Sequence, residues 1–400
     1  MVLAGGEGKR LAPLTNDRAK PAVPFGGTYR IIDFVLSNFA NAGYLKIVVL
    51  TQYKSHSLDR HISQTWQFPN LLGEYVTSVP AQMRRGPEWF RGSADAIYQN
   101  FNLIQDESPD IVCVFGADHI YRMDPRQMVA AHIASGAGVT VAAIPVPRRE
   151  APAFGVIESD AGGKILAFHE KVPNPPPMPG DDTRCLVSMG NYVFDTRTLM
   201  DVVTPSEEER LVDMGGDVIP ALTRRGVAHV YDFSTNVVPG QDERERGYWR
   251  DVGELDAYFD ANMDLIAPVP VFNLYNDLWP VYTFRKALPP AKVSRGSGGE
   301  PSFVDGSLLC QGSIVSGARV ERSIISQSVF IDHDAHVVDS ILMEGVRVGA
   351  GARLQRCIID KNVVVPEGVR IGLDHDRDAG RFTISGNGIV VVEKGRRIAS

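Results

Sequence analysis

An aliphatic repeat with a period of seventeen residues runs through the C-terminal part of the chain. Three members lie six residues apart, and all twelve positions of the repeat are Val, Ile or Leu: Leu308, Ile314, Val320, Ile325, Ile331, Val337, Leu342, Val348, Leu354, Ile359, Val365 and Ile371. Six residues a side and three sides a turn describe a triangular β-solenoid whose coils share one aliphatic core, whereas ordinary antiparallel strands have no reason to keep this period. We predict four coils over residues 306–372, within a domain of residues 306–400.

The first 266 residues follow a different pattern, in which strand-like and helix-like segments alternate. Strands are expected at residues 46–51, 110–116, 139–145 and 188–194, and helices at 31–41, 93–106, 125–135 and 196–203. The strands are apolar without alternation, so both faces of the sheet should be covered. This pattern predicts an α/β domain with a doubly wound, mostly parallel sheet, which binds ligands beyond the carboxyl ends of its strands. Residues 267–305, rich in proline and glycine, are expected to form a linker.

The charge balance and the cysteine pattern exclude several classes of protein. A formal net charge of −7 gives no general attraction to nucleic acid or to anionic membranes. No apolar run reaches the roughly 18 residues of a membrane span. The four cysteines, Cys113, Cys185, Cys310 and Cys357, are widely spaced, which favours reduced thiols in the cytoplasm over disulfides or zinc. Because the net charge is negative, an anionic substrate would have to bind at a local cluster of cations.

A short strand at the N-terminus leads into a glycine-rich turn, which reads Leu3-Ala4-Gly5-Gly6-Glu7-Gly8-Lys9-Arg10. Glycines let backbone N–H groups approach phosphate oxygens, and further cations follow at Arg18 and Lys20. The turn lacks the Gly-Lys-Ser/Thr ending of a Walker A loop and the spacing of the dinucleotide fingerprint. Taken alone, the spacing of the glycines fits a tight, exposed basic turn equally well.

The segment from Gly5 to Pro21 resembles the signature of sugar-phosphate nucleotidyltransferases. The stretches at residues 25–38, 89–96 and 188–194 are similar to the ADP-glucose pyrophosphorylases in particular, and the similarity covers nearly the whole chain. It implies a Rossmann-like catalytic domain at residues 1–266 and a solenoid that is a left-handed parallel β-helix. It also implies transfer of AMP from ATP to α-D-glucose 1-phosphate, which gives ADP-glucose and pyrophosphate for glycogen-type storage.

Two aspartates are candidate metal ligands. Asp118 follows the apolar strand at residues 110–116 and should face the ligand crevice, while Asp251 lies in the sequence Trp249-Arg250-Asp251. Alone, each aspartate is more often a helix cap or a turn residue. The resemblance implies that both bind Mg²⁺, which prefers oxygen ligands. His119 is not expected to act as a general base, because the phosphate of glucose 1-phosphate is already an anion.

The resemblance also implies roles for further residues. Arg10, Lys20 and Asp118 would be catalytic, with the two cations stabilising the leaving pyrophosphate. Nucleotide-binding residues would be Leu3, Ala4, Gly5, Gly6, Gly8, Gln82 and Gly92. Residues at the glucose 1-phosphate site would be Phe90, Gly155, Glu170, Lys171 and Ser188. Lys171 would bind the phosphate and Glu170 the glucose hydroxyls, whereas Trp249 fits a wall of the sugar site and a core tryptophan equally well.

Relatives of this kind are homotetramers controlled by sugar phosphates, pyruvate or adenine nucleotides that bind between the two domains. The candidate regulatory residues, again by resemblance, are Arg18, Arg30, His56 and Arg356. Three other functions stay open. A transferase that uses UTP, dTTP or GTP would differ only in the base pocket. An acyltransferase is disfavoured by the four short coils, and a non-catalytic regulatory subunit by the intact set Arg10, Lys20, Asp118, Lys171 and Asp251.

Overall fold

An N-terminal α/β domain built on a nine-stranded sheet precedes a C-terminal parallel β-helix. The structure is a computed structural model that describes residues 1–68, 73–82, 88–204 and 211–399. Within these ranges, no helix is long and apolar enough to cross a lipid bilayer.

The strands of the α/β domain are β1 Val2–Ala4, β2 Pro24–Phe25, β3 Tyr29–Arg30, β4 Lys46–Thr51, β5 Tyr75–Pro80, β6 Ile111–Gly116, β7 His119–Tyr121, β8 Val139–Pro147, β9 Gly155–Ser159, β10 Ile165–Glu170, β11 Arg184–Asp195, β12 Ala228–Asp232 and β13 Trp249–Asp251. Its helices are α1 Ile31–Asn41, α2 His56–Thr65, α3 Ser93–Gln99, α4 Phe101–Glu107, α5 Pro125–Ser135, α6 Thr196–Val203, α7 Ile219–Arg224 and α8 Leu255–Met263. A π-helical turn covers Met214–Val218, and short 3₁₀ turns cover Lys9–Leu11, Lys20–Ala22, Ala151–Ala153, Phe233–Thr235 and Asp264–Ile266.

The centre of the large sheet is parallel, which confirms the predicted fold class. Strand β1 lies between β4 and β6, and β5 borders β4, all in parallel register. The long strand β11 runs antiparallel to β6, β8 and β9, while β12 lies parallel to β8. The carboxyl ends of β1 and β6 therefore lie side by side, at the edge where the predicted ligand residues leave the sheet.

Helices cover both faces of the sheet, because successive residues of a strand point to opposite sides. In β4, Ile47 and Val49 join a core cluster with residues of α1 and α2, whereas Val48 and Leu50 join a second cluster with residues of α3 and α4. Burial of each such side chain stabilises the fold by roughly 1.5–3 kcal/mol. The uninterrupted apolar strands of the sequence are thus explained by two cores rather than one.

The helix predicted at residues 93–106 is wrong in one respect, since it is divided into α3 and α4. The division falls at Asn100, whose backbone leaves the helical region at φ −115° and ψ 25°. The Asn100 side-chain amide donates a hydrogen bond of 2.8 Å to the Ala96 carbonyl. Asparagine competes in this way for backbone partners and interrupts helices.

The β-helix contains β14 Lys292–Ser294, β15 Phe303–Asp305, β16 Leu308–Leu309, β17 Ile314–Ser316, β18 Arg319–Glu321, β19 Ile324–Ile325, β20 Phe330–Ile331, β21 His336–Val338, β22 Ile341–Leu342, β23 Arg347–Val348, β24 Arg353–Gln355, β25 Cys357–Ile359, β26 Val364–Val365, β27 Arg370–Ile371, β28 Thr383–Ile384 and β29 Val390–Val392, with a short helix α9 His375–Ala379. These strands form three sheets, one on each side of the triangle. The stacking is parallel throughout, except for the pairing of β28 with β29.

The corners of the triangle repeat with the same period as the core. Arg322, Asp339 and Arg356 occupy one corner with φ of 42°, 45° and 49°. Positive φ is uncommon for residues with side chains, so its recurrence every seventeen residues marks a turn that the coil geometry imposes. At the next corner, Ser328 and Asn362 flank Gly345, which takes the same backbone region without a side chain.

The predicted register is wrong at Leu308 and Ile314. The structure pairs Leu309 with Ile325 and Val315 with Ile331, so the inward positions of the first coil lie one residue later on these two sides. The cause is a shorter side, because the corner residues Gly312 and Gly317 are five positions apart, whereas Ser328 and Asp334 are six apart. The stacking also begins earlier than expected, since β14 and β15 lie within the segment predicted as a linker and pair with β17 and β18.

One side of the β-helix packs against the α/β domain. Ile324, Ile341 and Ile358 share a buried cluster with Phe25 of β2 and Tyr258 of α8. These isoleucines are the neighbours of the inward-facing residues on the same strands, so they point out of the solenoid. The two domains are therefore joined by a continuous apolar interface.

Candidate active site

The carboxyl edge of the sheet brings the glycine loop and both candidate aspartates together. The loop follows β1, and Asp118 follows the adjacent strand β6. Asp251 ends β13, which pairs antiparallel with β7 so that Asp251 lies opposite His119. Residues more than two hundred positions apart in sequence thus meet beyond the ends of two parallel strands.

Lys20 lies between the two aspartates. Its Nζ is 3.0 Å from Asp118 Oδ2 and 3.2 Å from Asp251 Oδ1, and only 9% of its side chain is exposed. The glycine loop packs against the base of the Lys20 side chain at Gly8, which has φ 66° and whose absent Cβ would lie 3.0 Å from Lys20 Cβ. A side chain at position 8 would push the loop away from Lys20.

The charges of this cluster keep one another ionised. Desolvation alone would lower the pKa of Lys20, but Asp118 and Asp251 outweigh it and raise that pKa above its ordinary value. Desolvation alone would likewise raise the pKa of Asp118, yet His119 and Lys20 hold that pKa well below its ordinary value. Asp118 is therefore an anion at neutral pH, the form in which a carboxylate binds a metal.

The cluster fits a divalent cation. Ligand atoms of Asp118, His119 and Asp251 all lie within 4.8 Å of one another. The two carboxylates supply the oxygen ligands that Mg²⁺ prefers. The position of the Lys20 ammonium shows that positive charge is stabilised between these carboxylates.

The loop itself offers free hydrogen-bond donors. In the part of the chain that the structure describes, the backbone N–H groups of Gly6, Glu7 and Gly8 donate to no acceptor. Arg10 is 65% exposed and pairs with Glu254 at 3.0 Å, close to Asp251 across Gly253. Unpaired N–H groups beside cations form a binding site for anions such as phosphate.

Other residues predicted to bind the nucleotide lie at the same edge. Leu3 and Ala4 form the end of β1, and Gly5 follows them beside Gln52. Gln82 is exposed shortly after β5, which is the strand next to β4. The structure thus brings these four residues of the prediction to one edge of the sheet.

Two residues of the predicted site are occupied in packing. Phe90 is 8% exposed and its ring lies in the core, while its carbonyl accepts a hydrogen bond of 3.2 Å from Gln52. A Cβ on Gly92 would lie 2.5 Å from the Val212 carbonyl oxygen, so this glycine is needed for backbone packing at the start of α3. Any contact of these residues with substrate would have to use their backbone.

Three of the predicted sugar-phosphate residues, Gly155, Glu170 and Lys171, form a second group. Gly155 lies opposite Glu170 in the pairing of β9 with β10, and a Cβ on Gly155 would be 3.0 Å from Glu170 Oε2. Lys171 follows with its Nζ 3.1 Å from Glu170 Oε1, and 66% of its side chain is exposed. Its backbone has φ 51°, held by a hydrogen bond from its N–H to the Phe154 carbonyl. Such strain in a residue with a side chain is typical of functional positions.

A row of rings connects the two groups. The ring centroid of Trp249 lies 4.8 Å from that of His119 and 5.5 Å from that of Phe154, the residue before Gly155. The Trp249 Nε1 has no hydrogen-bond acceptor among the residues described. Trp249 therefore separates the aspartate cluster from the group around Lys171, and it contacts the margins of both.

Ser188 lies at an irregularity of β11. The pairing of β11 with β8 shifts between Ser188 and Tyr192, and Gly190 within this bulge has φ 71°. The Gly190 N–H lies 3.3 Å from Ser188 Oγ, and a Cβ on Gly190 would be 3.8 Å from the His119 ring. Bulges of this kind reorient side chains beside active sites.

The candidate regulatory residues do not all meet. Arg18 is buried and its Nη2 lies 2.8 Å from Asp360 Oδ2 of the β-helix. Arg30 donates to the Ser57 carbonyl at 2.7 Å, next to the exposed His56 at the start of α2. Burial and the nearby Arg18 both lower the pKa of Arg30, opposed by Asp33.

Arg356 occupies another part of the domain interface. Its guanidinium lies 5.7 Å from the ring centroid of Phe259 in α8 and 3.4 Å from the Asn387 carbonyl. Among the described residues, Arg356 makes no hydrogen bond, ion pair or ring contact with Arg18, Arg30 or His56. A single effector site made of all four residues therefore has no support in their contacts.

Two features of the site were missed by sequence reasoning. Phe154 is not among the predicted residues, and His119 is considered only as a general base, a role that the sequence does not support. Both belong to the row of rings around Trp249. Their positions next to Gly155 and Asp118 in the sequence were a usable signal, because small-molecule sites are lined mainly by apolar and aromatic side chains.

Comparison with known proteins identifies the family. Residues 1–267 match the family model described as nucleotidyl transferase, and residues 289–392 match the one described as GlmU-like, C-terminal hexapeptide. Proteins named glucose-1-phosphate adenylyltransferase from Corynebacterium jeikeium and Frankia casuarinae are each 57% identical, over 98% and 100% of this chain and 97% and 98% of their own lengths. The protein of that name from Mycolicibacterium smegmatis is also 57% identical, over 99% of this chain and 97% of its own length. This chain belongs to the glucose-1-phosphate adenylyltransferase family.

Proposed function

We propose that this protein transfers the adenylyl group of ATP to the phosphate of α-D-glucose 1-phosphate, forming ADP-glucose and pyrophosphate for α-glucan storage. The observation that carries this proposal is the crevice with two ends. One end combines free loop N–H groups with Lys20, Asp118 and Asp251, and the other combines Glu170 with Lys171. The preference for ATP rests on the names of the relatives.

In the proposed reaction, a phosphate oxygen of glucose 1-phosphate attacks the α-phosphorus of ATP. The bond between this phosphorus and the oxygen that bridges to the β-phosphate breaks, and pyrophosphate leaves. The attacking oxygen is already anionic, so no general base is needed. Catalysis then consists of positioning and charge stabilisation.

The aspartate end would act on the phosphates of ATP. Asp118 and Asp251 would hold Mg²⁺, which when bound neutralises charge that develops around the α-phosphate. Arg10 and Lys20 would stabilise the leaving pyrophosphate, and the N–H groups of the loop would bind its oxygens. Leu3, Ala4, Gly5, Gly6, Gly8, Gln82 and Gly92 are proposed to line the nucleotide site.

The other end would hold the acceptor. Lys171 is exposed and is proposed to bind the phosphate of glucose 1-phosphate, while Glu170 accepts hydrogen bonds from glucose hydroxyls. Gly155 is proposed to line the site beside Glu170, and Ser188 and the backbone of Phe90 are proposed to complete this pocket. Trp249 would then form the apolar wall against which the sugar ring packs.

Assembly and regulation form a separate part of the proposal. We propose a homotetramer whose anionic effectors act at the interface between the domains, near Arg18, Arg30 and His56. The charged groups there include Asp360 and Glu344, so an effector would bind in competition with carboxylates. Arg356 would act separately, at its contact with α8. The four free thiols fit the reducing cytoplasm, where we propose that the enzyme works.

The direct test is identification of the products. Purified protein with ATP, glucose 1-phosphate and Mg²⁺ should yield ADP-glucose and pyrophosphate in equal amounts, as measured by mass spectrometry and phosphorus NMR. Omission of glucose 1-phosphate should abolish pyrophosphate release. Formation of pyrophosphate without a sugar nucleotide, or of no product with an intact fold, would refute the assignment.

A further inference from the structure

His119 contacts Asp118 at one end of the crevice and Trp249, which lies between the two ends. Its Nδ1 lies 3.4 Å from Asp118 Oδ1, and its ring centroid lies 4.8 Å from that of Trp249. In the pairing of β7 with β13 it lies opposite Asp251. Only 13% of its side chain is exposed, so the ring is held by its surroundings.

The Nδ1 atom has no satisfactory hydrogen bond in the structure. It is buried, and within the described parts of the chain it has no partner with good geometry. The 3.4 Å contact with Asp118 is longer than the usual range for an N–H···O hydrogen bond. Hydrogen bonds of this length in an enzyme without substrate often shorten when the substrate binds.

The two oxygens of Asp118 have separate neighbours. Oδ2 accepts from Lys20 at 3.0 Å, whereas Oδ1 faces His119. A carboxylate that binds a metal is usually held by hydrogen bonds from residues behind it, which fix the direction of its free lone pairs. His119 is placed to supply this support at Oδ1 while its ring packs at a tilt of 44° against the Trp249 indole.

We propose that His119 is a positioning residue with two separable functions, one for each end of the crevice. Its Nδ1–H orients the Asp118 carboxylate toward the divalent cation. Its ring, together with Phe154, fixes the Trp249 indole as the wall of the sugar site. This inference rests on the proposed role of Asp118 as a metal ligand, and His119 itself binds neither metal nor substrate.

Two substitutions separate these functions. His119→Asn keeps an N–H donor near the position of Nδ1 but removes the ring, whereas His119→Phe keeps a ring against Trp249 but removes the donor. Binding of Mn²⁺ is measured by electron paramagnetic resonance in the absence of substrates, and steady-state kinetics give KM for glucose 1-phosphate. Thermal unfolding shows whether each variant is folded. The variant Asp118→Asn independently tests whether Mn²⁺ binds at the proposed site.

His119→Phe should weaken Mn²⁺ binding by about 10-fold or more and leave KM for glucose 1-phosphate within about two-fold. His119→Asn should do the reverse, with Mn²⁺ affinity near that of the wild type and a KM raised by roughly 3- to 10-fold.

Equal effects of the two variants on both quantities would overturn the proposal. So would a directly coordinated nitrogen in the Mn²⁺ spectrum, because His119 would then be a ligand. If Asp118→Asn leaves Mn²⁺ binding unchanged, the metal site itself is wrong.

Discussion

The Arg18 guanidinium of the α/β domain and the Asp360 carboxylate of the β-helix form a buried ion pair, with Arg18 Nη2 2.9 and 2.8 Å from the two carboxylate oxygens. The side chains are only 6% and 1% exposed. The resemblance to known enzymes implies that Arg18 binds an effector, yet the Arg18 charge is already neutralised by Asp360 within the protein. The pair therefore joins the two domains, and an anion could reach Arg18 only by displacing Asp360.

Removal of one partner of this pair should destabilise the protein strongly. Asp360→Asn leaves the buried Arg18 charge unbalanced near Lys361, which should cost about 3–5 kcal/mol of unfolding free energy. The double variant Arg18→Met, Asp360→Leu should lose much less than the sum of the single variants. The measurement is denaturant unfolding of Asp360→Asn, of the single variants Arg18→Met and Asp360→Leu, and of the double variant.

The matched control is the exposed pair Asp17–Lys394, which also joins the two ends of the chain, at 3.3 Å. Asp17→Asn should change stability by no more than about 0.5–1 kcal/mol. A loss for Asp360→Asn as small as that for Asp17→Asn would contradict the account of the interface.

Loss of the Asp118 carboxylate should slow the chemical step. Asp118→Asn keeps the shape of the side chain but removes a negative ligand, so kcat should fall by on the order of 100-fold or more. The KM for glucose 1-phosphate should change little. The control is Asp110→Asn, because Asp110 is exposed and precedes β6, the strand that Asp118 follows. This variant should retain nearly full activity. Steady-state kinetics with each substrate varied in turn would show whether the loss of activity lies in kcat or in KM.

Loss of the Lys171 ammonium should weaken binding of the acceptor. A charge-assisted hydrogen bond to phosphate is worth about 1.5–3 kcal/mol, so Lys171→Ala should raise KM for glucose 1-phosphate by roughly 10- to 100-fold. The KM for ATP and the turnover number should barely change, because a contact made equally in the ground state and the transition state contributes only to binding. Lys164→Ala, an exposed lysine at the other end of β10, should behave as the wild type. A large fall in kcat with unchanged KM would mean that Lys171 acts on the transition state instead.

The solenoid core should not tolerate a charge. Val365 is 1% exposed and faces inward, whereas the adjacent Val364 on the same strand is 57% exposed and faces outward. Val365→Asp buries an unpaired carboxylate and should cost more than about 4 kcal/mol, seen as a large fall in melting temperature or loss of soluble protein. Val364→Asp should unfold near the wild-type temperature. Similar behaviour of the two variants would contradict the register of the coils.

The repeat was predictable from sequence because each coil obeys the same geometry. The positions of Ile325, Ile331 and Val337 are occupied by stacked, inward-facing aliphatic residues in the next two coils, as predicted. The register was wrong at Leu308 and Ile314 because the sequence does not reveal the side that is one residue shorter. Leu308 and Leu309 are both apolar, as are Ile314 and Val315, so either residue of each pair fits the aliphatic repeat. Only the pairing of neighbouring coils decides which of them points inward.

Site residues that lie close together in one sequence motif could be placed from the sequence. Contacts between distant segments could not. The loop before Lys20 and the end of β6 could be assigned from local order, since both follow parallel strands. The contact of Trp249 with His119 and Phe154 could not, because it depends on how β13 pairs with β7 and where the turn before β9 is placed. The burial of Arg18 by Asp360 depends likewise on the packing of two domains.

An enzyme that transfers an adenylyl group to glucose 1-phosphate should prefer ATP over the other nucleoside triphosphates. Pyrophosphate release is measured with ATP, UTP, dTTP, GTP and CTP in turn, each with saturating glucose 1-phosphate and Mg²⁺. The highest kcat/KM is expected with ATP, and no release is expected with any nucleotide when the sugar phosphate is omitted. A higher value with UTP or dTTP, or no release with ATP from folded protein, would contradict this expectation.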